Sequence, residues 1–241
     1  MRPDESTRDR LNLNVAAVRD RIAGACRRAG RDPGTVTLVA VTKYVDAERA
    51  ALVHDAGCHD LAESRPQSLW GKAAALAGLA PPPRWHLVGH LQRNKIRRSL
   101  SLVALVHSLD SLRLLDALEA EAAAVGSVCH ALVEVNLTDD PGRTGASPVD
   151  AEAIVAAAAT RPHVDVRGLM GMARTPDGAG ADARRDFARL REMRDRLAMT
   201  SAAGGLPELS MGMSGDLEAA ILEGSTMVRV GSALFEGLGP G

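Results

Sequence analysis

The chain alternates segments typical of β-strands with segments typical of α-helices, and this alternation repeats eight times along its 241 residues. Short apolar or β-branched runs bounded by turn residues indicate the strands, and longer stretches with apolar residues at helical spacing follow them. The predicted strands are Thr37–Thr42, Asp60–Ala62, His86–Gly89, Ala104–His107, His130–Asn136, Val166–Met172, Glu208–Gly212 and Met227–Val230. The predicted helices begin near Asp46, Arg65, Arg93, Ser111, Ser147, Asp182, Ser214 and Ser232.

Regular alternation of this kind predicts parallel strands joined by right-handed helical crossovers, and eight such units match a single (β/α)8 TIM barrel of the α/β class. The competing fold is an open, doubly wound sheet. Its dinucleotide-binding fingerprint of three spaced glycines is absent after the first strand, where Thr42-Lys43-Tyr44 follows instead. The closed barrel is therefore favoured.

An additional N-terminal helix precedes the first strand. Its apolar residues recur at helical spacing and predict one packing face, formed by Leu11, Val15, Val18, Ile22 and Cys26. The segments 81–83 and 176–180 predict loops rather than domain boundaries, because the alternation continues on both sides of each. Residues 1–241 are expected to form one domain.

Composition and charge narrow the class of protein. The hydrophobic content of 46% suffices for a large core, and the formal net charge of −1 offers no general attraction to nucleic acid or anionic membranes. The N-terminal residues are charged and no apolar run approaches the length of a membrane span, so we expect a cytoplasmic protein. The three cysteines lack the spacing of a zinc site or a disulfide framework, which predicts buried free thiols and no metal.

The segment Leu209–Phe235 carries the strongest functional signal. Met211-Gly212-Met213-Ser214 ends one predicted strand, and Ser214 is expected to cap the next helix. Arg229-Val230-Gly231-Ser232 ends the following strand and turns into a last short helix. Because backbone N–H groups are unpaired at helix starts, both turns are expected to face a common anion. In TIM barrels a phosphate site often lies after the last two strands, where both turns fall.

A lysine follows the first predicted strand at the same rim of the barrel. Leu38–Thr42 predicts a buried strand that leads directly into Lys43. A primary amine beside a phosphate site favours an aldehyde phosphate as the ligand, because an unprotonated amine attacks an aldehyde. Other polar residues at strand ends join the candidates: Glu63, Ser64, His90, Ser108, Asp110, Asn136, Met172 and Arg174.

Both charged candidates also have ordinary structural interpretations. Lys43 can be a surface lysine that ends a strand, which is the commoner role for a single residue of this type. Arg229 can be the salt-bridge partner of Glu218 or Glu223. These alternatives stay open on the residues alone.

Seven collinear segments resemble the pyridoxal phosphate homeostasis protein family, which is related in fold to the N-terminal barrel of alanine racemase. They are LVAVTKY at 38–44, AESRPQSLWGK at 62–72, WHLVGHLQRNK at 85–95, VHSLDS at 106–111, EVN at 134–136, GLMGM at 168–172 and the segment 209–235. The resemblance covers nearly the whole chain. It implies a TIM barrel that binds pyridoxal 5′-phosphate (PLP), the cofactor form of vitamin B6.

The resemblance also implies roles for the candidate residues. Lys43 would form a Schiff base with the aldehyde of PLP, the turns at Ser214 and at Gly231-Ser232 would hold its phosphate, and Arg229 would face its pyridine nitrogen. The implied cofactor-binding residues are Lys43, Ser64, His90, Asn136, Met213, Ser214, Arg229, Gly231 and Ser232.

Some of these positions leave alternatives open. Ser64 stands where the family commonly has asparagine, so its contact to the ring can pass to water or to Glu63. Ser232 stands where threonine is common, but it keeps the hydroxyl and the backbone N–H. For His90 the alternative is a hydrogen bond within the barrel mouth, and for Asn136 it is the closure of a turn.

An arginine beside the ring nitrogen bears on catalysis. Guanidinium keeps its protons, so Arg229 would leave the nitrogen unprotonated and weaken the ring as an electron sink. Racemisation also needs a second base, which alanine racemase takes from a tyrosine of a separate domain. Nine residues follow Ser232, and the sole tyrosine, Tyr44, is expected to point to the opposite face of its strand from Lys43. A two-base racemase is therefore disfavoured.

The resemblance implies a protein that holds PLP reversibly on Lys43 and maintains intracellular PLP homeostasis without obvious turnover. One alternative is a PLP-dependent enzyme acting on amino acids, such as a weak racemase. A second is a barrel enzyme that acts on a sugar phosphate without PLP. The expected partners are PLP and the apo-enzymes that require it, with no nucleic acid or membrane, and the expected state is a monomer.

Overall fold

The computed structural model describes residues 5–138, 140, 142–174, 180–200 and 205–238. Eight parallel strands close into a barrel in which each strand pairs with the next along the chain and the last pairs with the first. The strands are β1 Thr37–Val41, β2 Asp60–Glu63, β3 Arg84–Leu87, β4 Val103–Leu109, β5 Cys129–Val135, β6 Val164–Gly171, β7 Glu208–Ser210 and β8 Met227–Val230. The predicted TIM barrel and its eight strands are confirmed, with strand ends displaced by at most two residues.

A helical segment follows each strand, and one long helix precedes the barrel. The α-helices are α1 Glu5–Arg28, α2 Ala47–Asp55, α3 Pro66–Ala75, α4 Ile96–Leu100, α5 Leu112–Val125, α6 Pro148–Ala158, α7 Gly180–Thr200 and α8 Leu217–Leu222. Short 3-10 helices span Pro33–Thr35, Arg93–Lys95 and Ser232–Leu234. The loop predicted at 176–180 lies almost entirely outside the described residues. Among the helices that are described, none has the length and apolarity that crossing a bilayer requires.

Capping side chains fix several of the helix starts. Asp46, Ser111 and Ser147 each accept a hydrogen bond from the backbone N–H three residues later, at 2.8, 3.3 and 3.1 Å. A cap of this kind stabilises a helix by about 1 kcal/mol, and these three predicted starts are confirmed. The start of α8 differs from the prediction, because this helix begins at Leu217 rather than at Ser214. The last helix begins at Ser232, as predicted, and is a 3-10 helix.

Side chains along the strands alternate between two hydrophobic layers. The outer layer fills the space between strands and helices and extends onto α1, where the predicted face of Leu11, Val15, Val18, Ile22 and Cys26 is buried. The inner layer lies inside the barrel and is small, with Val39, Ala62, Leu105, Leu132, Met170 and Met227. Each fully buried aliphatic side chain stabilises the fold by about 1.5–3 kcal/mol, so most of the stabilisation comes from the outer layer. The three cysteines are buried free thiols, as predicted.

Candidate functional site

A cavity of about 850 Å³ lies at the carboxyl ends of the strands, which is where TIM barrels bind their ligands. Its polar walls come mainly from the residues after β1, β2, β7 and β8. Most of the predicted site residues line it: Lys43, Ser64, Met213, Ser214, Arg229, Gly231 and Ser232. Arg21, Tyr44 and Phe235 line it as well, although none of them was among the predicted site residues. The structure therefore brings the rim lysine and both small-residue turns into one cavity.

Lys43 lies in a tight turn directly after β1. The backbone N–H of Val45 donates to the carbonyl of Thr42 at 3.0 Å and closes this turn. The Lys43 side chain is exposed, and its Nζ atom lies 4.8 Å from the centroid of the Tyr44 ring. The amine is thus presented to the cavity beside an aromatic ring.

Tyr44 lines the same cavity as Lys43, so the prediction that the two side chains point to opposite faces is wrong. Side chains alternate only within a strand, and β1 already ends at Val41. In the turn that follows, the two neighbouring side chains come together. Tyr44 is 85% exposed and adds a phenol group, which can donate and accept a proton, to the cavity mouth.

A buried ion pair holds the backbone just before Lys43. Glu63, at the end of β2, pairs with Lys72 of α3, and both residues are buried. The Glu63 carboxylate accepts a hydrogen bond from the Thr42 hydroxyl at 2.7 Å, and Lys72 Nζ donates to the Thr42 carbonyl at 2.7 Å. Glu63 is therefore committed to structure and does not line the cavity, so it is not the substitute ring contact that the sequence left open.

The turn between β7 and α8 forms one wall of the cavity. Gly212 enters it with a φ of 94°, in the left-handed region that favours glycine. Asp216 Oδ1 accepts a hydrogen bond from the Met213 backbone N–H at 2.6 Å and closes the turn. Among the described residues, no acceptor faces the backbone N–H groups of Ser214 and Gly215. The tip of this turn therefore offers free donors to a ligand.

Ser214 does not cap α8, contrary to the prediction, because two residues of the turn, Gly215 and Asp216, separate it from Leu217, the first helical residue. Its Oγ atom instead accepts a hydrogen bond from the backbone N–H of Ala233 at 3.3 Å. Ala233 belongs to the 3-10 helix after β8, and Gly231 at the start of that segment packs against the end of β1. Residues 213–216 and 231–233, called the paired turns below, thus form one continuous surface.

Arg21 of α1 adds a positive charge beside the paired turns. Its Nη2 atom donates to the Ser214 carbonyl at 2.8 Å, and its Nε and Nη2 atoms bind the Glu218 carboxylate at 2.6 and 2.9 Å. The same side chain lines the cavity. The N-terminal helix therefore contributes to the site.

Arg229 projects from β8 into the barrel interior and is only 5% exposed. Its Nη1 atom donates to the carbonyl and the hydroxyl of Ser210 at 2.7 and 2.6 Å, and its Nη2 atom donates to the Gly171 carbonyl at 3.1 Å. Burial lowers the pKa of Arg229 to about 10, and the nearby carboxylates of Glu134 and Asp216 oppose this shift. The guanidinium remains charged at neutral pH.

The carboxylates considered as salt-bridge partners of Arg229 bind other arginines. Glu218 binds Arg21, as described above, and Glu223 binds Arg184 and Arg191 at 2.7 and 2.5 Å. The ordinary structural interpretation of Arg229 is therefore wrong. Its guanidinium is held by neutral oxygen atoms beside the cavity.

Two of the predicted site residues do not line the main cavity. His90 is exposed and lies 3.7 Å from the Asp110 carboxylate, in a separate cleft of about 340 Å³. The Asn136 side chain closes a turn, because it donates to the Asp140 carbonyl at 2.9 Å and accepts from the Thr138 backbone N–H at 2.9 Å. For Asn136 the structural alternative is observed. Neither residue is brought to Lys43 in this structure.

A row of polar side chains, all buried except the half-buried Asp60, crosses the barrel interior and ends at Arg229. His107 of β4 lies 2.9 Å from the Ser210 hydroxyl on one side and 2.9 Å from His86 of β3 on the other. His86 in turn lies 2.9 Å from the carboxylate of Asp60, at the start of β2. Apart from Arg229, none of the residues of this row was predicted from the sequence. A usable signal was present, since Asp60, His107 and Arg229 each lie two positions from an apolar residue of the inner layer, on the same face of the strand.

His107 makes stability depend on pH. Burial, together with the neighbouring His86 and the charge of Arg229, lowers the pKa of His107 well below 6.5. In the unfolded chain a histidine takes up a proton below about pH 6.5, so the unfolded state binds more protons than the native state there. The free energy of unfolding is expected to fall as pH drops below about 6.5, by up to about 1.4 kcal/mol per pH unit for this group.

Urea unfolding of the wild type and of His107→Gln between pH 7.5 and 5 measures this contribution. Burial also raises the pKa of Glu134 and of Asp216, which gives an opposite pH dependence at low pH. Those carboxyl groups are present in both proteins, so they cancel in the difference. The assignment would be contradicted if the free energy of unfolding fell as steeply with decreasing pH in His107→Gln as in the wild type.

The fold and the cavity define the class of protein: a TIM barrel with a lysine and two facing turns in one cavity at the carboxyl ends of its strands. The family described as alanine racemase, N-terminal domain, matches residues 13–238. A pyridoxal phosphate homeostasis protein of Pseudomonas aeruginosa is 40% identical over 222 residues, which cover 92% of this chain and 93% of that protein. One of Aquifex aeolicus is 36% identical, with 92% and 95% covered. The chain belongs to the pyridoxal phosphate homeostasis protein family, which confirms the resemblance found in its sequence.

Solved structures agree with this assignment. PipY of Synechococcus elongatus with PLP bound has a TM-score of 0.81 and 32% identity, covering 93% of this chain and 99% of that one. An alanine racemase of Clostridium difficile has a TM-score of 0.72 at 17% identity, covering 94% of this chain and 56% of that one. The second likeness shows the shared fold alone.

Proposed function

We propose that this protein binds PLP in the main cavity, holds it reversibly on Lys43 and maintains PLP homeostasis in the cytoplasm by supplying apo-enzymes. The observation that carries the proposal is the convergence of the Lys43 amine and the paired turns in one cavity. Membership of the family, and a PLP-bound relative with 32% identity, support the choice of ligand. PLP would supply an aldehyde for the amine and a phosphate for the turns.

Lys43 has the chemistry to hold an aldehyde reversibly. When PLP is bound, the Nζ atom of Lys43 would hold its aldehyde carbon, with the aldehyde oxygen lost as water on attachment and regained from water on release. The exposed turn gives the amine access to solvent, which suits capture and release. The buried Glu63–Lys72 pair keeps the residue before Lys43 fixed while the side chain moves.

The paired turns and Arg21 suit a phosphate. The free N–H groups at the tip of the first turn can donate to phosphate oxygens, and the guanidinium of Arg21 adds a positive charge. Ser214 and Ser232 add hydroxyl groups on the same surface. Phosphate binding would thereby place the aldehyde end of the ligand toward Lys43.

Arg229 favours retention of the ligand over turnover. It keeps its proton and has no acceptor, so it can only donate to the pyridine nitrogen, and it leaves that nitrogen unprotonated. An unprotonated ring withdraws electrons weakly and stabilises carbanions poorly. Such a contact would favour a holding and delivery role over turnover.

An amino-acid-handling enzyme, such as a weak racemase, is the second candidate function. The specific observation in its favour is Tyr44, whose ring lies 4.8 Å from Lys43 Nζ in the same cavity. Under this alternative Lys43 and Tyr44 would move the α-proton of an amino acid. The protein loaded with PLP would then exchange the α-hydrogen of an amino acid for deuterium, and both Lys43→Ala and Tyr44→Phe would abolish the exchange.

An absorption spectrum of the purified protein, before and after addition of PLP, tests the proposed function. The visible band of a Schiff base that disappears on borohydride reduction is the expected result. A protein that is colourless after incubation with PLP and removal of the unbound ligand would contradict the proposal and would favour an enzyme that acts on a sugar phosphate without PLP.

Ser214→Asp tests the phosphate contact by placing a negative charge on the paired turns. Repulsion between two partly screened charges a few ångströms apart amounts to a few kcal/mol, so the affinity for PLP is expected to fall by at least about tenfold. Ser214→Asn is the matched control, because it has nearly the same size without the charge. Equal affinities of the two variants would place the phosphate elsewhere, and equilibrium dialysis with PLP provides the measurement.

A further inference from the structure

The buried polar row that ends at Arg229 permits one direction of hydrogen bonding. Arg229 has donors and no acceptor, so Ser210 Oγ accepts from it and gives its only proton to His107 Nδ1. Neutral His107 then carries its proton on Nε2 and donates it to His86 Nδ1. His86 carries its proton on Nε2 and donates it to Asp60 Oδ1. With both imidazoles neutral, every bond of the row is satisfied.

The charges at the two ends of the row support this order. One end is the guanidinium of Arg229, and the other is the carboxylate of Asp60, which also pairs with Arg84 at 3.2 Å. The histidine side chains between them are buried. If any single bond were reversed, a neighbouring pair of atoms would consist of two donors or of two acceptors. Such an unpaired polar group in the protein interior costs free energy.

We propose that the members of this row are positioning residues that fix the orientation of the Arg229 guanidinium toward the cavity: Asp60, His86, His107 and Ser210. The two Nη1 protons of Arg229 bind Ser210, and one Nη2 proton binds the Gly171 carbonyl. Within the part of the chain that the structure describes, the second Nη2 proton and the Nε proton have no acceptor, so they are left for a ligand in the cavity that Arg229 lines. For the identity of that ligand, this inference rests on the proposed binding of PLP.

Through this row, the orientation of the Arg229 guanidinium depends on His107 and His86, which lie across the barrel interior on β4 and β3. Ser210 can accept from Arg229 only while its own proton is given to His107, and His107 can accept it only while its other nitrogen donates to His86. Asp60 accepts the last hydrogen bond of the row, from His86. Loss of Asp60 would leave the Nε2 proton of His86 without its acceptor, so this tautomer would no longer be favoured. The hydrogen bonds to His107, Ser210 and Arg229 would then lose their fixed direction in turn.

The first experiment needs no ligand. Long-range ¹H–¹⁵N correlation spectra of ¹⁵N-histidine-labelled protein at pH 7 report which imidazole nitrogen carries the proton. Protons on Nε2 of both His86 and His107 are the expected result, and single His→Gln variants assign the signals. A proton on Nδ1 of either residue, or a cationic imidazole, would overturn the proposal.

The second experiment removes Asp60, at the end of the row away from Arg229, and measures PLP binding in the cavity. Asp60→Ala is expected to weaken PLP binding about tenfold, a coupling typical of connected buried networks, and to change the absorption band of bound PLP. The matched control is Asp165→Ala, which breaks a His–Asp pair of the same 2.9 Å length between His130 and Asp165 on the exposed surface. That variant is expected to bind PLP as the wild type does.

Ser210→Ala provides a second cut beside Arg229 if Asp60→Ala fails to fold, because it removes only the hydroxyl and keeps the carbonyl contact. It is expected to reproduce the weakened binding and the altered band. Wild-type affinity and spectrum in a folded Asp60→Ala or Ser210→Ala protein would overturn the proposal. Wild-type protein that binds no PLP would refute the proposed function instead, and the histidine spectra of the ligand-free protein would still decide the order of the row.

Discussion

Lys43→Ala is expected to abolish the covalent attachment of PLP while the fold stays intact. The chain contains three lysines, and they differ sharply in environment. Lys43 is exposed at the cavity, whereas Lys72 is buried in an ion pair with Glu63 and Lys95 lies against the ring of Trp70. Removal of an exposed side chain changes the free energy of unfolding by about 0.5 kcal/mol or less.

The measurement is the intact mass after incubation with PLP and reduction with borohydride. The wild type is expected to gain one reduced pyridoxyl phosphate group, and Lys43→Ala is expected to gain none. Lys95→Ala serves as the control, because it removes another solvent-accessible amine at a distance from the cavity, and it should be modified like the wild type. An unchanged adduct in Lys43→Ala, or its loss in Lys95→Ala, would assign the reacting amine to another residue.

Arg229→Met is expected to lower the free energy of unfolding by about 1–3 kcal/mol, the usual cost of leaving buried hydrogen-bond acceptors without a donor. The Ser210 and Gly171 carbonyls would lose their donors. The buried carboxyl groups of Glu134 and Asp216 would lose the positive charge that favours their ionised forms. Urea unfolding at neutral pH measures the change.

A matched surface substitution separates this effect from the general loss of an arginine. Arg97→Met removes a guanidinium that is 68% exposed and pairs with Glu121 at 2.6 Å. Exposed ion pairs of this kind contribute about 0–1 kcal/mol, so this variant is expected to unfold nearly like the wild type. If Arg229→Met lowered the free energy of unfolding no more than Arg97→Met does, the hydrogen bonds of the buried guanidinium would not stabilise the barrel interior.

The barrel could be predicted because its signals are local. Each strand is a short apolar run, and Asp46, Ser111 and Ser147 cap their helices through bonds to residues three positions later. The grouping of Lys43 with the paired turns was also predictable, because parallel strands bring their carboxyl ends to the same rim. These features need only the neighbouring residues and the topology.

The errors and omissions arise where the chain leaves regular structure or where distant residues meet. Ser214 is placed by its bond to Ala233 rather than by the helix that follows it, and Tyr44 lies beyond the last residue of β1. Arg21 reaches the cavity from a helix nearly two hundred residues away in sequence. The row from Asp60 to Arg229 depends on which inward-facing side chains come into register, and no single segment carries that information.

A crystal structure of the protein grown with PLP tests the central claim most directly. Continuous electron density from Lys43 Nζ to the aldehyde carbon of PLP is predicted, with the phosphate between the two parts of the paired turns. The guanidinium of Arg229 should lie at the pyridine nitrogen. A phosphate bound away from residues 213–216 and 231–233, or a Lys43 side chain turned into solvent with PLP bound elsewhere, would contradict the account.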